Sequence, residues 1–308
     1  MTVRDVAVGL IGTGAVGQGV GGALVASGLC TSLLVASRRP EQAAALSDDL
    51  ADMQAAYGSP VRPYAAAVPE MRDCAAVVVA VRARFTNARA TDVRMGGIQA
   101  NTPVVQEIAG QLAGYPGTVL VVTNPVDLMT RLFAETSGCL RVFGVGSSLD
   151  TSRYRITLAR LLGVSARAVD GHVIGEHGDG AVVCASSTTV NGQPVPVPLQ
   201  QVRDELAIRP GRINTGIGRT RCGPAGAVLF ALRLALGVDD GLTELSAPYS
   251  DSYLGIPLRF IGGEALPCMP RLDGAEARQL EAARIKLRDA YQAVRGIPAQ
   301  ALPSERNL

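Results

Sequence analysis

Two histidines occur in this chain, and one of them lies in a segment suited to contact with a ligand. His177 falls within residues 173–180 (VIGEHGDG), among three glycines and between two carboxylates, whereas the other histidine is His172. An imidazole changes its charge near neutral pH, so a positioned histidine can serve as a general acid or base. Taken alone, a histidine in a glycine-rich loop is more often part of a surface turn. His177 is therefore a candidate that needs a second, independent motif.

A glycine-rich turn near the N-terminus supplies a second motif. Residues 6–12 (VAVGLIG) predict a buried strand, and a GxGxxG pattern follows directly and opens a helix. The pattern consists of Gly12, Thr13, Gly14, Ala15, Val16 and Gly17. Glycines at these positions allow a tight turn and let a pyrophosphate approach the helix N-terminus. The context predicts dinucleotide binding, with a glycine-rich packing turn as the alternative.

The end of the second predicted strand bears on the choice of dinucleotide. NAD-binding proteins carry an acidic residue for the ribose hydroxyls about 20 residues after the glycines, and this chain has Ser37, Arg38 and Arg39 there. No carboxylate stands at this point to repel a 2′-phosphate, and two guanidiniums are available to bind one. The sequence therefore favours NADP. NAD remains the alternative if Arg38 and Arg39 are only solvated loop charges.

Short apolar runs alternate with longer segments throughout the first half of the chain. The runs cover residues 31–37, 74–81, 118–125 and 141–146, and the segments between them are long enough for helices. Continuous valine-rich runs are typical of parallel strands that helices cover on both faces. We therefore predict an α/β fold in which residues 1–146 form a dinucleotide-binding Rossmann domain with a doubly wound parallel sheet.

The pattern changes after about residue 146, which predicts a second domain over residues 147–308. A helix is expected first, then strands within residues 181–190 and 193–199. The last expected element is an amphipathic helix over residues 276–294, whose charges are expected to form a solvated face. Together these elements predict an α+β substrate-binding catalytic domain.

Composition excludes several classes of protein. A chain of 308 residues can bury two substantial cores, and its net charge of +2 gives no reason to expect nucleic acid or a membrane as partner. No basic segment followed by a signal-type apolar run stands at the N-terminus, so a cytoplasmic location is expected. The six cysteines include no CxxC pair, which predicts buried thiols and neither a disulfide framework nor a metal site.

Four motifs in one order resemble the lactate/malate dehydrogenase family of L-2-hydroxy acid dehydrogenases. They are the glycine turn, VVTNPVD at residues 121–127, GVGSSLDTSRYR at residues 144–155 and GEHGD around His177. The resemblance spans essentially the whole chain. It implies reversible hydride transfer between a nicotinamide cofactor and a 2-oxo or 2-hydroxy acid, carried out by a homodimer or homotetramer.

The resemblance also implies a role for each candidate residue of the site. His177 is similar to the family's catalytic acid/base, and Asp150 to the carboxylate that orients its ring. Arg153 resembles the arginine that binds the substrate carboxylate, for which a guanidinium fork is well suited. Asn124 resembles the asparagine that hydrogen-bonds the substrate oxygen, with Thr123 beside the nicotinamide. A helix-face ion pair for Arg153 and a capped turn for Asn124 are the alternatives.

The loop that closes over substrate in this family departs from its usual pattern here. Residues 101–109 (NTPVVQEIA) resemble a helix of the family. Counting back from Asn101 places Arg94 at the position of the family's arginine that polarises the substrate carbonyl. The stretch RARFTNARATDVR at residues 82–94 is longer than the family's QKPG stretch and contains neither Pro nor Gly. Arg82, Arg84 and Arg89 are available to bind a second substrate carboxylate, as in malate dehydrogenases. Solvated loop arginines are the alternative.

A second segment that faces substrate in the family, residues 219–227 (RTRCGPAGA), also lacks the usual small hydroxyl-bearing pattern. Both walls of the substrate pocket are therefore unusual. Two alternatives stay open: a reductase of the same fold that acts on a bulkier specialised keto acid, and a non-catalytic dinucleotide-binding sensor. The intact set of His177, Asp150, Arg153 and Asn124 argues against the sensor.

Overall fold

The first half of the chain forms alternating strands and helices, as its apolar runs predict. The computed structural model describes residues 6–89 and 91–297. In this half the strands are β1 (Ala7–Ile11), β2 (Ser32–Ala36), β3 (Arg62–Ala65), β4 (Ala76–Val79), β5 (Thr118–Val121) and β6 (Val142–Gly144). The helices are α1 (Ala15–Ser27), α2 (Pro40–Tyr57), α3 (Ile98–Gln111) and α4 (Val126–Ser137).

These strands form a parallel sheet in the order β3-β2-β1-β4-β5-β6. Successive side chains of a strand point to opposite faces, yet Val77, Val78 and Val79 of β4 are all fully buried. Both faces of the sheet are therefore covered, as expected for strands that are apolar at every position. The doubly wound Rossmann arrangement predicted from the sequence is confirmed.

The second half begins with a helix and continues with short strands before a long antiparallel pair. Its helices are α5 (Ser147–Leu162), α6 (Leu199–Ile217), α7 (Cys222–Ala235) and α8 (Gly274–Arg295). Its strands are β7 (Val169–Asp170), β8 (Val173–Gly175), β9 (Ala181–Val183), β10 (Thr189–Val190), β11 (Gln193–Pro194), β12 (Gly241–Tyr249), β13 (Ser252–Ile261) and β14 (Glu264–Pro267).

The large sheet does not stop at β6. Strand β12 pairs antiparallel with β6 at Ser246 and Gly144, and the sheet continues through β13, β8 and β9. The predicted division at residue 146 falls between the end of β6 and the start of α5, within one continuous sheet. The two-domain division remains a prediction, and the first five and last eleven residues of the predicted domains lie outside the described residues.

The strands predicted over residues 181–190 and 193–199 are shorter than expected. Strand β9 ends at Val183 because a short 3-10 helix follows at Ala185–Ser187, and the chain returns to strand only at β10. Beyond β11 the prolines at positions 196 and 198 have no N–H to donate to a sheet, which limits pairing there. Alternating apolar residues in this region therefore indicate extended chain rather than long strands.

The predicted amphipathic helix is present as α8, and its first turn is well capped. The Asp273 carboxylate accepts hydrogen bonds from the N–H groups of Ala275 and Glu276, and the Glu276 side chain accepts from the N–H of Asp273. The buried apolar residues recur at helical spacing and are Leu280, Ala283, Leu287, Tyr291 and Val294. This face fixes the rotation of α8, and hence the direction of its remaining side chains.

Four of the six cysteines are buried as predicted, namely Cys30, Cys74, Cys139 and Cys184, and all six are free thiols. Cys222 is exposed and Cys268 half-buried, because the first lies at the start of α7 and the second after β14, both at the surface. Among the described residues, no helix combines the length and the apolar character needed to cross a membrane.

Candidate active site

The glycine turn after β1 forms an open cradle at the N-terminus of α1. Gly12 has φ 115°, and a Cβ on Gly17 would lie 1.8 Å from the carbonyl oxygen of Gly12. A Cβ on Gly14 would instead meet nothing within 4 Å. Gly14 is also the N-cap and provides no side chain to the first N–H groups of α1. The first backbone N–H groups of α1 are therefore uncapped and face open space, where they can donate hydrogen bonds to the pyrophosphate of a dinucleotide.

Ser37, Arg38 and Arg39 follow β2 beside this turn. The Oγ of Ser37 lies 3.2 Å from the Oγ1 of Thr13 and 3.2 Å from the Oε1 of Gln42. Arg38 is exposed, and Arg39 lies 3.5 Å from Glu41 with both side chains more than half exposed. An exposed pair of this kind contributes little, so Arg39 remains free to bind an anion.

One carboxylate joins the candidate catalytic residues into a cluster. The Nδ1 of His177 lies 2.6 Å from the Oδ2 of Asp150, and both side chains are buried. The Oδ1 of Asp150 lies 3.3 Å from Arg153 Nη1 and 3.9 Å from Arg94 Nη2. Helix α5 supplies Asp150 and Arg153 from adjacent turns of one face. The glycine at position 146 is required, since its Cβ would lie 2.6 Å from the His177 ring.

The charges around this cluster set its protonation. Burial and the Arg94 guanidinium hold the pKa of His177 below its ordinary value of 6.5, although Asp150 acts in the opposite direction. Burial alone would raise the pKa of Asp150, but His177, Arg94 and Arg153 together lower it. Asp150 therefore stays ionised at neutral pH and accepts the Nδ1–H of His177. This leaves Nε2 as the ring atom that can exchange a proton.

A second buried carboxylate holds the backbone of the histidine loop. The Oδ2 of Asp127, in the first turn of α4, accepts a hydrogen bond of 2.9 Å from the N–H of His177. The Asp127 side chain is buried, and burial raises its pKa to about 7. The residue belongs to the VVTNPVD segment, but nothing in the spacing indicates a partner 50 residues away. Sequence reasoning therefore missed Asp127 as a positioning residue.

Replacing Asp127 with asparagine tests the burial of this carboxylate through stability. The folded-state pKa near 7 lies above the ordinary 3.8, so the folded protein binds more protons between these values. The free energy of unfolding contributed by Asp127 therefore falls as pH rises through this window, by up to about 4 kcal/mol. Asp127→Asn keeps the acceptor but cannot ionise. In urea unfolding, the free energy of unfolding of the variant relative to the parent should be higher at pH 8 than at pH 5. Parallel pH profiles of the two proteins would contradict the assignment.

Asn124 and Thr123 lie where β5 ends, but their side chains differ in availability. The Thr123 hydroxyl donates to the carbonyl of Val81 over 2.8 Å, and is therefore committed to the end of β4. The Asn124 Oδ1 is buried and makes no hydrogen bond to any described residue. The neighbouring Asn101 donates to the carbonyl of Asn124 and accepts from the N–H of Ala83. Asn101 thus holds the start of the active-site loop, residues 82–97, by hydrogen bonds. The sequence did not reveal this role.

Within the described part of the loop at residues 82–97, the arginines point to different partners. Arg94 approaches Asp150, whereas Arg89 lies 3.7 Å from Asp92 on the loop itself and is half exposed. Arg84 is exposed, and the guanidinium carbon of Arg82 lies 4.4 Å above the Phe85 ring. The structure thus joins Arg94 to His177, Asp150 and Arg153, and leaves Arg84 and Arg89 outside this cluster.

Three charged residues connect the loop to the histidine segment. Lys286 of α8 contacts the carboxylates of Glu176 and Asp92, which lie close in sequence to His177 and Arg94 respectively. The charges of α8 were expected to form a solvated face, so this contact was not predicted. The available signal was composition, because Lys286 is the single lysine of the chain.

Family comparison covers both halves of the molecule. A model described as lactate/malate dehydrogenase, NAD binding domain, matches residues 6–144. A second model, lactate/malate dehydrogenase, alpha/beta C-terminal domain, matches residues 147–208.

Individual relatives and solved structures give the same picture. The chain is 31% identical over 302 residues to an L-lactate dehydrogenase of Deinococcus radiodurans, covering 89% of this chain and 94% of that enzyme. It is 32% identical to L-lactate dehydrogenase 2 of Lactococcus lactis, but over only 63% of this chain and 62% of that enzyme. The fold is similar to that of malate dehydrogenase from Plasmodium falciparum, with a TM-score of 0.86, 20% identity, and coverage of 95% and 99%.

Proposed function

This chain belongs to the lactate/malate dehydrogenase family, and from that premise we propose that it is an NAD(P)-dependent dehydrogenase that interconverts a 2-oxo acid and its 2-hydroxy acid. One observation carries the proposal: a buried histidine and two guanidiniums each lie within 4 Å of the Asp150 carboxylate, which orients the histidine ring. This set combines a proton donor with binding groups for a carboxylate and a carbonyl oxygen, which is what reduction of a 2-oxo acid needs.

Each residue of the cluster has a separate task in the proposed reaction. Arg153 binds the substrate carboxylate through its guanidinium fork, and Arg94 polarises the 2-oxo group. Asp150 holds His177 in the tautomer that presents Nε2, and Asn124 adds a hydrogen bond to the substrate oxygen. When bound, the reduced nicotinamide supplies a hydride to C2 of the substrate. His177 then provides the proton that completes the hydroxyl group.

Substrate binding itself would adjust the proton donor. In the free protein the pKa of His177 is lowered by burial and by Arg94. A substrate carboxylate brings a negative charge into the same cluster and offsets the guanidiniums, which favours the imidazolium form. The chain would therefore take up a proton on binding a 2-oxo acid, and the loop end that carries Arg94 would exclude water around it.

The cofactor is proposed to be NADP rather than NAD. The proposal is supported by the Ser37-Arg38-Arg39 sequence after β2, where NAD-binding proteins of this fold carry a carboxylate for the ribose. Arg38 and the weakly paired Arg39 offer guanidiniums to a 2′-phosphate, and Ser37 offers a hydroxyl.

Introducing a carboxylate at this point should reverse the cofactor preference. In Ser37→Asp the new charge repels a 2′-phosphate and accepts hydrogen bonds from the ribose hydroxyls of NAD. We expect the ratio of kcat/KM for NADPH over NADH to fall about 100-fold, the loss of one or two charge-assisted contacts. Ser165→Asp adds the same charge at the N-cap of the 3-10 helix Ala166–Ala168 and should leave the ratio unchanged. Equal ratios in the two variants would refute the NADP proposal.

Initial rates with a substrate panel test the function as a whole. NADPH and NADH are each assayed with pyruvate, oxaloacetate, and branched and aromatic 2-oxo acids. Turnover of any of them supports the proposed reaction, and the preferred side chain shows what residues 82–94 and 219–227 select. Preference for a large 2-oxo acid favours the second candidate, a specialised keto acid reductase. The unusual loop sequence supports this candidate. No turnover with measurable NADPH binding would favour a sensor.

Three broader features belong to the same proposal. They are a dinucleotide-binding domain over residues 1–146 and a catalytic domain over residues 147–308, a homodimer or homotetramer, and a location in the cytoplasm. Light scattering after gel filtration measures the oligomeric state directly, and a monomer at working concentration would contradict that part.

A further inference from the structure

The single lysine of this chain lies between the two segments that carry the candidate catalytic residues. The Nζ of Lys286 is 2.7 and 2.8 Å from the two carboxylate oxygens of Glu176, and 2.9 Å from the Oδ1 of Asp92. Glu176 immediately precedes His177, and Asp92 lies two residues before Arg94. One ammonium group on α8 therefore contacts both the histidine segment and the active-site loop.

The geometry of this contact suits an ammonium group and not a guanidinium. Three oxygens from two carboxylates surround one nitrogen atom, which matches the three N–H donors of a lysine. An arginine presents its donors in a plane spread over three nitrogens and cannot direct them at one point. The chain uses arginine at every other Lys/Arg position, and its one lysine lies at this contact.

The Glu176 side of the contact is rigid. Its side chain is only 3% exposed, and its Oε2 also accepts the N–H of Gly180 over 2.9 Å. A Cβ on Gly178 would come within 2.8 Å of this carboxylate, and a Cβ on Gly180 within 2.5 Å. Gly178 and Gly180 thus make room for Glu176 rather than for the imidazole. A buried carboxylate of this kind requires a cationic partner, which Lys286 provides.

The Asp92 side of the contact lies on the loop. Asp92 adopts φ 51°, a left-handed conformation that is unfavourable for most side chains, and its N–H donates to the Oδ2 of Asp179. Its side chain also meets Arg89 at 3.7 Å. Contacts with Lys286 and Asp179 therefore hold the backbone just before Arg94 against the histidine segment. These contacts compensate for the cost of the strained conformation.

We propose that Lys286 is a positioning residue that latches the loop end at residues 91–97 onto the Glu176–His177 segment and so places Arg94 at the substrate carbonyl. The inference rests on the proposed function and adds to it a residue from α8, outside both substrate-facing segments. Breaking the loop side of the latch, as in Asp92→Asn, keeps the Lys286–Glu176 pair beside His177 and leaves Asp150 and the cofactor turn in place. It releases the loop end that carries Arg94, which approaches Asp150 only to 3.9 Å in the latched state.

Kinetics of four variants test the positioning role. Lys286→Met removes the ammonium but keeps the length of the side chain, and Asp92→Asn removes the charge on the loop side. Each should lower kcat/KM for the 2-oxo acid by about 10- to 100-fold, the effect of a small misplacement, while the Kd for NADPH changes little. The double variant should be no worse than Lys286→Met alone, because that variant already lacks the contact with Asp92. Arg288→Met, two residues along α8 and paired with Asp289, is the matched control.

Amine labelling reports on the latch without catalysis. Because Lys286 is the only lysine, an N-hydroxysuccinimide ester modifies one side chain, and mass spectrometry of its peptide gives the rate. Asp92→Asn should be labelled several-fold faster than the parent, and Arg288→Met at the parental rate. Equal labelling of parent and Asp92→Asn would overturn the latch, even if Lys286→Met does not fold. Equal kcat/KM in Lys286→Met and Arg288→Met would overturn the positioning role. Absence of turnover in the parent would instead refute the proposed function.

Discussion

His177→Asn is expected to lower the rate of 2-oxo acid reduction by about 10²- to 10⁴-fold, the contribution of a positioned general acid. The asparagine amide can still donate to Asp150 from near the place of Nδ1, where the imidazole is 2.6 Å from that carboxylate. No group then remains at the place of Nε2 to donate the proton. The kcat measured in stopped flow under saturating substrate reports this loss directly.

The other histidine supplies the matched control. His172 also donates through Nδ1 to a carboxylate, Glu244, at 2.5 Å, so His172→Asn is the same chemical change at a second histidine–carboxylate pair. It should leave kcat nearly unchanged. Binding of NADPH, followed by the fluorescence of the cofactor because the chain has no tryptophan, should be similar in both variants. Comparable kcat values for the two variants would remove His177 from the proposed mechanism.

Arg153→Lys is expected to lower kcat/KM for the 2-oxo acid by about 10²- to 10³-fold, although the positive charge is kept. A lysine cannot form two parallel hydrogen bonds with a carboxylate, and each charge-assisted bond contributes about 1.5–3 kcal/mol. The Arg153 side chain is buried beside Asp150, so solvent cannot replace the lost contact. Most of the effect should appear as a higher KM, because the substrate carboxylate is bound in both the ground state and the transition state.

Arg155→Lys separates this role from general effects on α5. Arg155 lies two residues along the same helix and donates its Nε to the carbonyl of Gly171, away from the Asp150 cluster. The variant should keep kcat/KM within a small factor of the parent. If Arg153→Lys behaves in the same way, the carboxylate of the substrate is bound by another residue.

Local pattern determined much of what could be read from this chain. The glycine turn at residues 12–17 can be recognised from the sequence because a strand, a turn and a helix follow one another directly. Each of these elements is identified by its own residues. The candidate roles of His177, Asp150 and Arg153 could be predicted because short motifs around these residues resemble those of a known family. The parallel arrangement of β1, β2, β4, β5 and β6 follows from the alternation of apolar runs and helices, since parallel strands need crossover connections. Strand β3 lies outside the predicted runs, and only the structure shows it.

Two expectations held only in part because they depended on local pattern alone. Alternating residues over 181–190 indicate a strand, yet a 3-10 helix at Ala185–Ser187 interrupts it. The charges of α8 were expected to face solvent, which is true of a typical amphipathic helix. Lys286 is an exception because the packing of Leu287 and its apolar neighbours rotates it toward the loop. Periodicity specifies which face of a helix is buried, but not what lies beside that face.

By itself the sequence indicated the alternating strands and helices of the first half and the glycine turn, because these depend on residues close together in the chain. The proposed acid/base pair was named from the resemblance of short motifs to a family. Only the tertiary structure decided which distant groups support them. Asp127 holds the backbone of His177 across 50 residues, and Lys286 contacts Asp92 across 194. Such contacts depend on how the β6–β12 junction joins the two halves of the sheet and where α8 packs. No period or spacing records this, because the energy of a contact depends on proximity in space rather than along the chain.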